Sequence, residues 1–174
     1  MKFLFTAILG LLLAASFSAQ EKCRLNLPES PTLQNLKLGM SETEARNVLG
    51  IKVKADDEGQ STFFQNYIKK KAKGKLIGTR ALYLRFYNAR LYQIEFFYEE
   101  NYRWPDLENL LDDYSARQNF ARDLWNLEYG YATAECDGFS LAADYILNPR
   151  IQLTDDTIAE IVAAERAEKE NKDN

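Results

Sequence analysis

Residues 79–98, TRALYLRFYNARLYQIEFFY, alternate apolar and polar side chains on either side of Asn88-Ala89-Arg90, the pattern of two β-strands joined by a tight turn. The alternation also argues their pairing. A three-residue loop at Asn88-Ala89-Arg90 sets Phe86 opposite Tyr92, Leu84 opposite Ile94 and Leu82 opposite Phe96, one continuous apolar face. A two-residue loop instead sets Leu84 against Gln93. Because a slip of one residue turns every side chain over, the three-residue loop is expected. Tyr83, Arg85, Gln93 and Glu95 then share the opposite face, solvated or only lightly covered.

Upstream of this hairpin, Gly39-Met40-Ser41-Glu42-Thr43-Glu44-Ala45 is a helix start. Ser41 can accept from a backbone amide while Glu44, three residues on, reaches back to the Ser41 amide, and Met40 can pack against Ala45. Ala45, Val48 and Leu49 form the apolar stripe, and Gly50 supplies the left-handed residue that ends the helix. The lead from Cys23 to Leu38 is expected to be extended, since Pro28 and Pro31 discourage regular helix. After a short strand or connector at 51–55 and an acidic turn at Asp56-Asp57-Glu58-Gly59, residues 61–69 read as a strand. That strand runs into a loop containing Lys69, Lys70, Lys71, Lys73 and Lys75.

Downstream, Trp104-Pro105 is expected to open a second helix, with Leu107, Leu110, Leu111 and Tyr114 on one face. The helical pattern continues, with or without a kink, through Phe120, Leu124 and Trp125 until Gly130 breaks it. Residues 131–147 read as strand, either continuous with a bulge at Gly138 or a hairpin turning at Asp137-Gly138. A last helix, capped near Thr154-Asp155-Asp156 and carrying Ile158, Ile161 and Val162, frays into a charged tail. Together these elements predict an α+β fold, a two-layer antiparallel sheet of four to six strands with the helices near 41–49 and 105–125 on one face.

The first nineteen residues have the pattern of a secretory signal: Lys2, the apolar run from Phe3 to Ala15, then the small residues Ala14, Ala15, Ser16, Ser18 and Ala19. The apolar run is shorter than the ~20 residues a bilayer-spanning helix needs. Cleavage after Ser18 or after Ala19 leaves one domain over 20–153 and a C-terminal helix and tail over 154–174; an uncleaved signal acting as an anchor is the competing reading. Gln20, Glu21 and Lys22 separate the small residues from Cys23, so lipid anchoring is not expected. The protein is therefore expected to be exported, periplasmic or secreted, and not an integral membrane protein.

In an oxidising compartment the two cysteines, Cys23 and Cys136, are expected to pair rather than remain as two free thiols. They close a loop on the order of 110 residues, for which the chain-entropy argument gives up to about 4 to 5 kcal/mol. The chain has no histidine, which excludes Ser-His-Asp and Cys-His catalysis and His-ligated zinc. Its net charge of −4 opposes nucleic-acid binding. No cofactor is expected.

At Leu36-Lys37-Leu38-Gly39-Met40-Ser41, the helix ending at Leu49-Gly50 and the hairpin from Leu82 to Phe96, the chain resembles the SmpA/OmlA-like outer-membrane lipoproteins and the β-lactamase-inhibitor-like fold. Members of these families pair a Leu-Gly-Met-Ser helix with a small antiparallel sheet. The resemblance covers roughly residues 36–98, implies a non-enzymatic envelope protein, and assigns no functional residue.

Candidate contacts follow from residue chemistry. Lys69, Lys70, Lys71, Lys73 and Lys75 suit a polyanion, an anionic membrane surface or an acidic protein face, or serve only to keep a hairpin tip solvated. Tyr83, Tyr87, Tyr98 and Trp104, with Tyr92, form a candidate aromatic contact surface, or pack in the core. Asp56-Asp57-Glu58 and Asp112-Asp113 lack calcium-loop spacing and read as solvated faces, so no metal site is expected. Glu95 with Glu99 or Glu100 is a conceivable carboxylate pair for glycoside hydrolysis. The expected function is a binding or envelope-structural module, not an enzyme, engaging an envelope protein or an anionic membrane surface. The alternative is a small hydrolase or protein inhibitor using a carboxylate or tyrosine site.

Overall fold

A computed structural model describes residues 23–50, 60–66 (backbone only), 78–99, 103–146 and 149–173. The segment 1–19 expected to be a signal, the expected acidic turn at 56–58, Glu100 and the lysine segment at 69–75 lie outside the described residues. The fold is α+β, as the sequence predicts. Among the described residues, one open antiparallel sheet has six strands of five residues or more and one three-residue edge strand. In chain order the strands are β1 (Gln60–Asn66), β2 (Thr79–Tyr87), β3 (Arg90–Tyr98), β4 (Asn126–Glu128), β5 (Tyr131–Glu135), β6 (Phe139–Asp144) and β7 (Arg150–Asp155). Their spatial order is β1-β2-β3-β7-β6-β5-β4, so β3 and β7, distant in sequence, lie side by side at the centre.

The β2–β3 hairpin reaches the expected register by a different route. Asn88 and Ala89 alone form the loop, both in the left-handed region at φ 47° and 59°, and Tyr87 pairs with Arg90. Such a two-residue turn matches the twist of the strands. Taken alone it sets Leu84 against Gln93, but Tyr92 is an extra residue on β3, a bulge between the pairs Phe86–Leu91 and Arg85–Gln93. The bulge restores Leu84 opposite Ile94 and Leu82 opposite Phe96. The expected Phe86–Tyr92 pair is replaced by Phe86–Leu91, and the core face keeps Phe86, Leu91, Leu84, Ile94, Leu82 and Phe96 buried.

The bulge is where the N-terminal segment docks. Gly39 N–H donates to the Leu91 carbonyl and Leu91 N–H to the Met40 carbonyl, each at 2.8 Å, while an Arg90 guanidinium nitrogen donates to the Gly39 carbonyl at 3.0 Å. Gly39 sits at φ 81°, a conformation that side-chain-bearing residues rarely adopt. Helix α1 (Glu42–Leu49) then starts as expected: the Ser41 amide and hydroxyl both donate to Glu44 at 2.8 Å, and the Ser41 hydroxyl oxygen accepts from Glu44 N–H at 3.3 Å. These bonds hold the Glu44 carboxyl below its ordinary range. Gly50 ends the helix in the left-handed conformation.

Helix α2 (Leu107–Gln118) begins two residues after Pro105, because Asp106 rather than Trp104-Pro105 supplies the cap, accepting from Asn109 N–H at 2.9 Å. It ends at Asn119, in the left-handed conformation, and Arg122–Leu124 form a separate 3₁₀ turn, so the helical pattern does not run on to Trp125. Leu107, Leu110, Leu111 and Tyr114 join the core with Ala45 of α1, the inward residues of the sheet and Leu33, Leu36 and Leu38 of the lead segment. Residues 131–147 resolve into the hairpin alternative, with Gly138 at φ 81° in its turn. Cys136 lies in that turn and not in a strand, its amide bonded to the Phe139 carbonyl.

Cys23 and Cys136 are disulfide-bonded across 113 residues of sequence, and Asp137 N–H donates to the Leu25 carbonyl at 2.9 Å beside the bond. Helix α3 (Asp156–Asp173) follows β7 without a linker, so the boundary expected at 153/154 falls inside β7. Its cap is Asp155, which accepts from Ile158 N–H at 3.1 Å. α3 packs against β3, β6 and β7, yet Val162, buried in it, lies outside the main core cluster. Among the described residues no helix is long and apolar enough to cross a membrane.

Two measurements check this frame. Replacing both cysteines by alanine is expected to lower unfolding free energy by about 2 to 5 kcal/mol in urea melts. Ser41→Ala is expected to cost about 1 kcal/mol by loss of the cap; an unchanged urea midpoint would mean that α1 is held by packing alone.

Candidate functional site

The face of the sheet turned away from α1 and α2 carries a continuous polar array whose rows follow from strand register. One row reads Arg85, Gln93, Thr154, Ser140 and Glu135 across β2, β3, β7, β6 and β5; the next reads Tyr83, Glu95, Gln152, Ala142 and Thr133. A third, towards the end of the sheet, reads Phe97, Arg150, Asp144 and Tyr131. Each of these alternates with the inward residues of the core, which is why so polar a set occupies one surface.

Glu95 is the centre of the array. Its side chain is only 7% exposed and lies between two guanidinium groups, with Arg150 Nη1 at 2.9 Å and Arg85 Nη1 at 3.6 Å. Arg150 also holds Asp144, Nη2 to Oδ2 at 2.6 Å, and Arg85 donates to Gln93. Gln93 and Gln152 each donate to the Thr154 hydroxyl, at 3.1 and 3.0 Å. Two cations and two carboxylates therefore neutralise one another. Each guanidinium also lies over a ring, Arg85 over Tyr83 at 5.4 Å and Arg150 over Phe97 at 5.7 Å, and the two rings meet edge to face at 5.8 Å. Arg85 and Arg150 side chains remain 28% and 25% exposed, so the array is rigid but open to contact from above.

One end of this face is closed by α3. Tyr87 hydroxyl donates to Glu165 at 2.6 Å, which raises the tyrosine above its ordinary pKa, and Ser140 hydroxyl donates to Asp156 at 2.6 Å. Burial, with the neighbouring Asp155, Glu135 and Glu160 carboxylates, raises the Asp156 carboxyl despite that bond.

Of the aromatic residues that were candidates for a contact surface or the core, Tyr83 and Tyr87 are on this face. Tyr98 and Trp104 are not: both are buried, and they meet edge to face at 4.9 Å. The Trp104 indole donates to Asp113 at 2.9 Å and its carbonyl accepts from the Tyr145 hydroxyl, so it anchors the entry to α2. Tyr92 is likewise buried. Lys69, Lys70, Lys71, Lys73 and Lys75 lie outside the described residues. Asp113 and Asp112 are paired with Arg117 and Arg122, and no group of carboxylates able to hold a metal occurs among the described residues. Glu95, the strand member of the conceivable carboxylate pair, is clamped by two arginines.

Arg150, Asp144, Gln152 and Thr154 were not legible as site residues from sequence. The only local signal is the alternation of polar residues in 150–154, and nothing in it indicates that β7 lies beside β3. No protein-family model, curated protein or solved structure matches this chain.

Glu95→Gln leaves Arg85 and Arg150 facing each other without their shared counter-ion and is expected to cost about 2 to 4 kcal/mol in urea melts. Asp156→Asn keeps an acceptor for Ser140. It is expected to stabilise the protein near neutral pH, where the half-buried carboxylate is ionised against its raised pKa. That advantage shrinks as pH falls through the folded-state value, because the native carboxyl then becomes neutral too. A difference in melting temperature that is independent of pH would contradict the assignment.

Proposed function

We propose that this is an exported, non-enzymatic binding module of the SmpA/OmlA-like kind that holds an envelope protein against the outer face of its sheet. The observation that carries this reading is the array around Glu95, in which two arginines, each stacked on a ring, are fixed by carboxylates yet left partly exposed. Arginine and tyrosine dominate the contacts that fix protein partners, and side chains already ordered before contact lose little freedom on binding. Neutralisation of Glu95 by both arginines disfavours its use as a general acid or base. The disulfide and the apolar leader sequence support export. The resemblance over residues 36–98 supports an envelope role.

The test is crosslinking of the tagged protein in native cell envelopes, with Arg85→Gln as the comparison, since that substitution leaves Glu95 paired with Arg150 and keeps the fold. Recovery of one envelope protein by the wild type, reduced about tenfold in the variant as expected for a central arginine contact, supports the reading. Equal recovery by both removes the outer face from the account, and recovery of nothing turns attention to a screen for hydrolase activity.

A further inference from the structure

Arg85 and Arg150 flank Glu95 but are committed to different extents. Arg150 turns both terminal nitrogens inward, Nη1 to Glu95 at 2.9 Å and Nη2 to Asp144 at 2.6 Å, and its Nε is buried. Arg85 reaches inward through Nη1 alone, which donates to Gln93 and lies 3.6 Å from Glu95. Its Nε and Nη2 have no partner among the described residues, and its side chain is partly exposed.

The Nε–H and one Nη2–H of an arginine point the same way along one edge of the guanidinium plane, an edge that matches the two oxygens of a carboxylate. In Arg85 the plane is held by the Tyr83 ring at 5.4 Å and by the bond from Nη1 to Gln93, so this edge is ordered before any ligand arrives. Glu95 does not require it, since its shorter contact is with Arg150. Arg85 therefore presents an unused fork at the surface of the array.

Charge selects the class of ligand. Arg85 and Arg150 are balanced by Glu95 and Asp144, so the array offers one open fork and no excess of positive charge. Further carboxylates stand around it: Glu165 is bonded to Tyr87, Asp156 is bonded to Ser140 on β6, and exposed Glu135 ends the Arg85 row on β5. A phosphate dianion or a polyanionic chain meets these groups, and like charges brought together across a contact cost affinity. One carboxylate fills the fork with the least repulsion.

We propose that Arg85 takes one aspartate or glutamate side chain of the partner protein, its two oxygens paired with the Nε and Nη2 edge. This rests on the outer-face reading above and names the chemistry that the partner presents there. An exposed ion pair adds register and specificity more than affinity, so the fork geometry at position 85 matters as well as its charge.

The test follows the Arg85 Nε–H resonance of the purified protein, as it accumulates in the cell, during titration with capped single-residue probes; the resonance is assigned by its absence from Arg85→Lys. N-acetylglutamate α-methylamide carries a side-chain carboxylate, its glutamine counterpart is neutral, and its phosphoserine counterpart carries a phosphate. The glutamate probe is expected to shift the resonance at about tenfold lower concentration than the glutamine probe, as one charge-assisted pair allows. No shift with the glutamate probe, an equal response to glutamine, or a stronger response to phosphoserine would each overturn the proposal. In crosslinking from native envelopes, Arg85→Lys keeps the charge but loses the fork, and is expected to lose recovery of the partner about as much as Arg85→Gln, about tenfold. Loss in Arg85→Gln with wild-type recovery in Arg85→Lys overturns the carboxylate fork and leaves the outer face as the contact. Equal recovery by all three proteins overturns the outer-face reading and this proposal together.

Discussion

The extra residue Tyr92 in β3 decides which way the side chains of the β2–β3 hairpin point. A two-residue turn at Asn88-Ala89 brings the strands together with the right twist but the wrong parity, setting Leu84 against Gln93. One inserted residue reverses the parity beyond it, and Leu82, Leu84, Ile94 and Phe96 all reach the core. The same bulge positions the Leu91 amide and carbonyl for Met40 and Gly39, which fixes the start of α1. Local strain in the left-handed Ala89 is thus offset by a buried apolar face and by a docked helix.

From that parity the opposite face follows. Arg85, Glu95 and Tyr83 are outward because Leu84 and Ile94 are inward, and β7 then supplies Arg150 and Gln152 next to them. A carboxylate as enclosed as Glu95 is costly unless matched, and here it is matched twice. Well-packed apolar residues would serve stability as well. A charged, ring-stacked array in their place is what the proposed binding role rests on.

Much was determined by the sequence itself. Ser41 and Glu44 announced the start of α1, Gly50 its end, the alternation in 79–98 the hairpin, and the two cysteines their bond, because each depends on neighbours within a few residues or on there being only one possible pairing. The antiparallel α+β class followed from those elements. What only the tertiary structure decided was non-local: the placement of β7 beside β3, and with it the Arg85–Glu95–Arg150–Asp144 network, and the burial of Tyr98 and Trp104, which the sequence left between a contact surface and the core. Strand order depends on which apolar faces pack best across the whole chain, and no short stretch of residues carries that information.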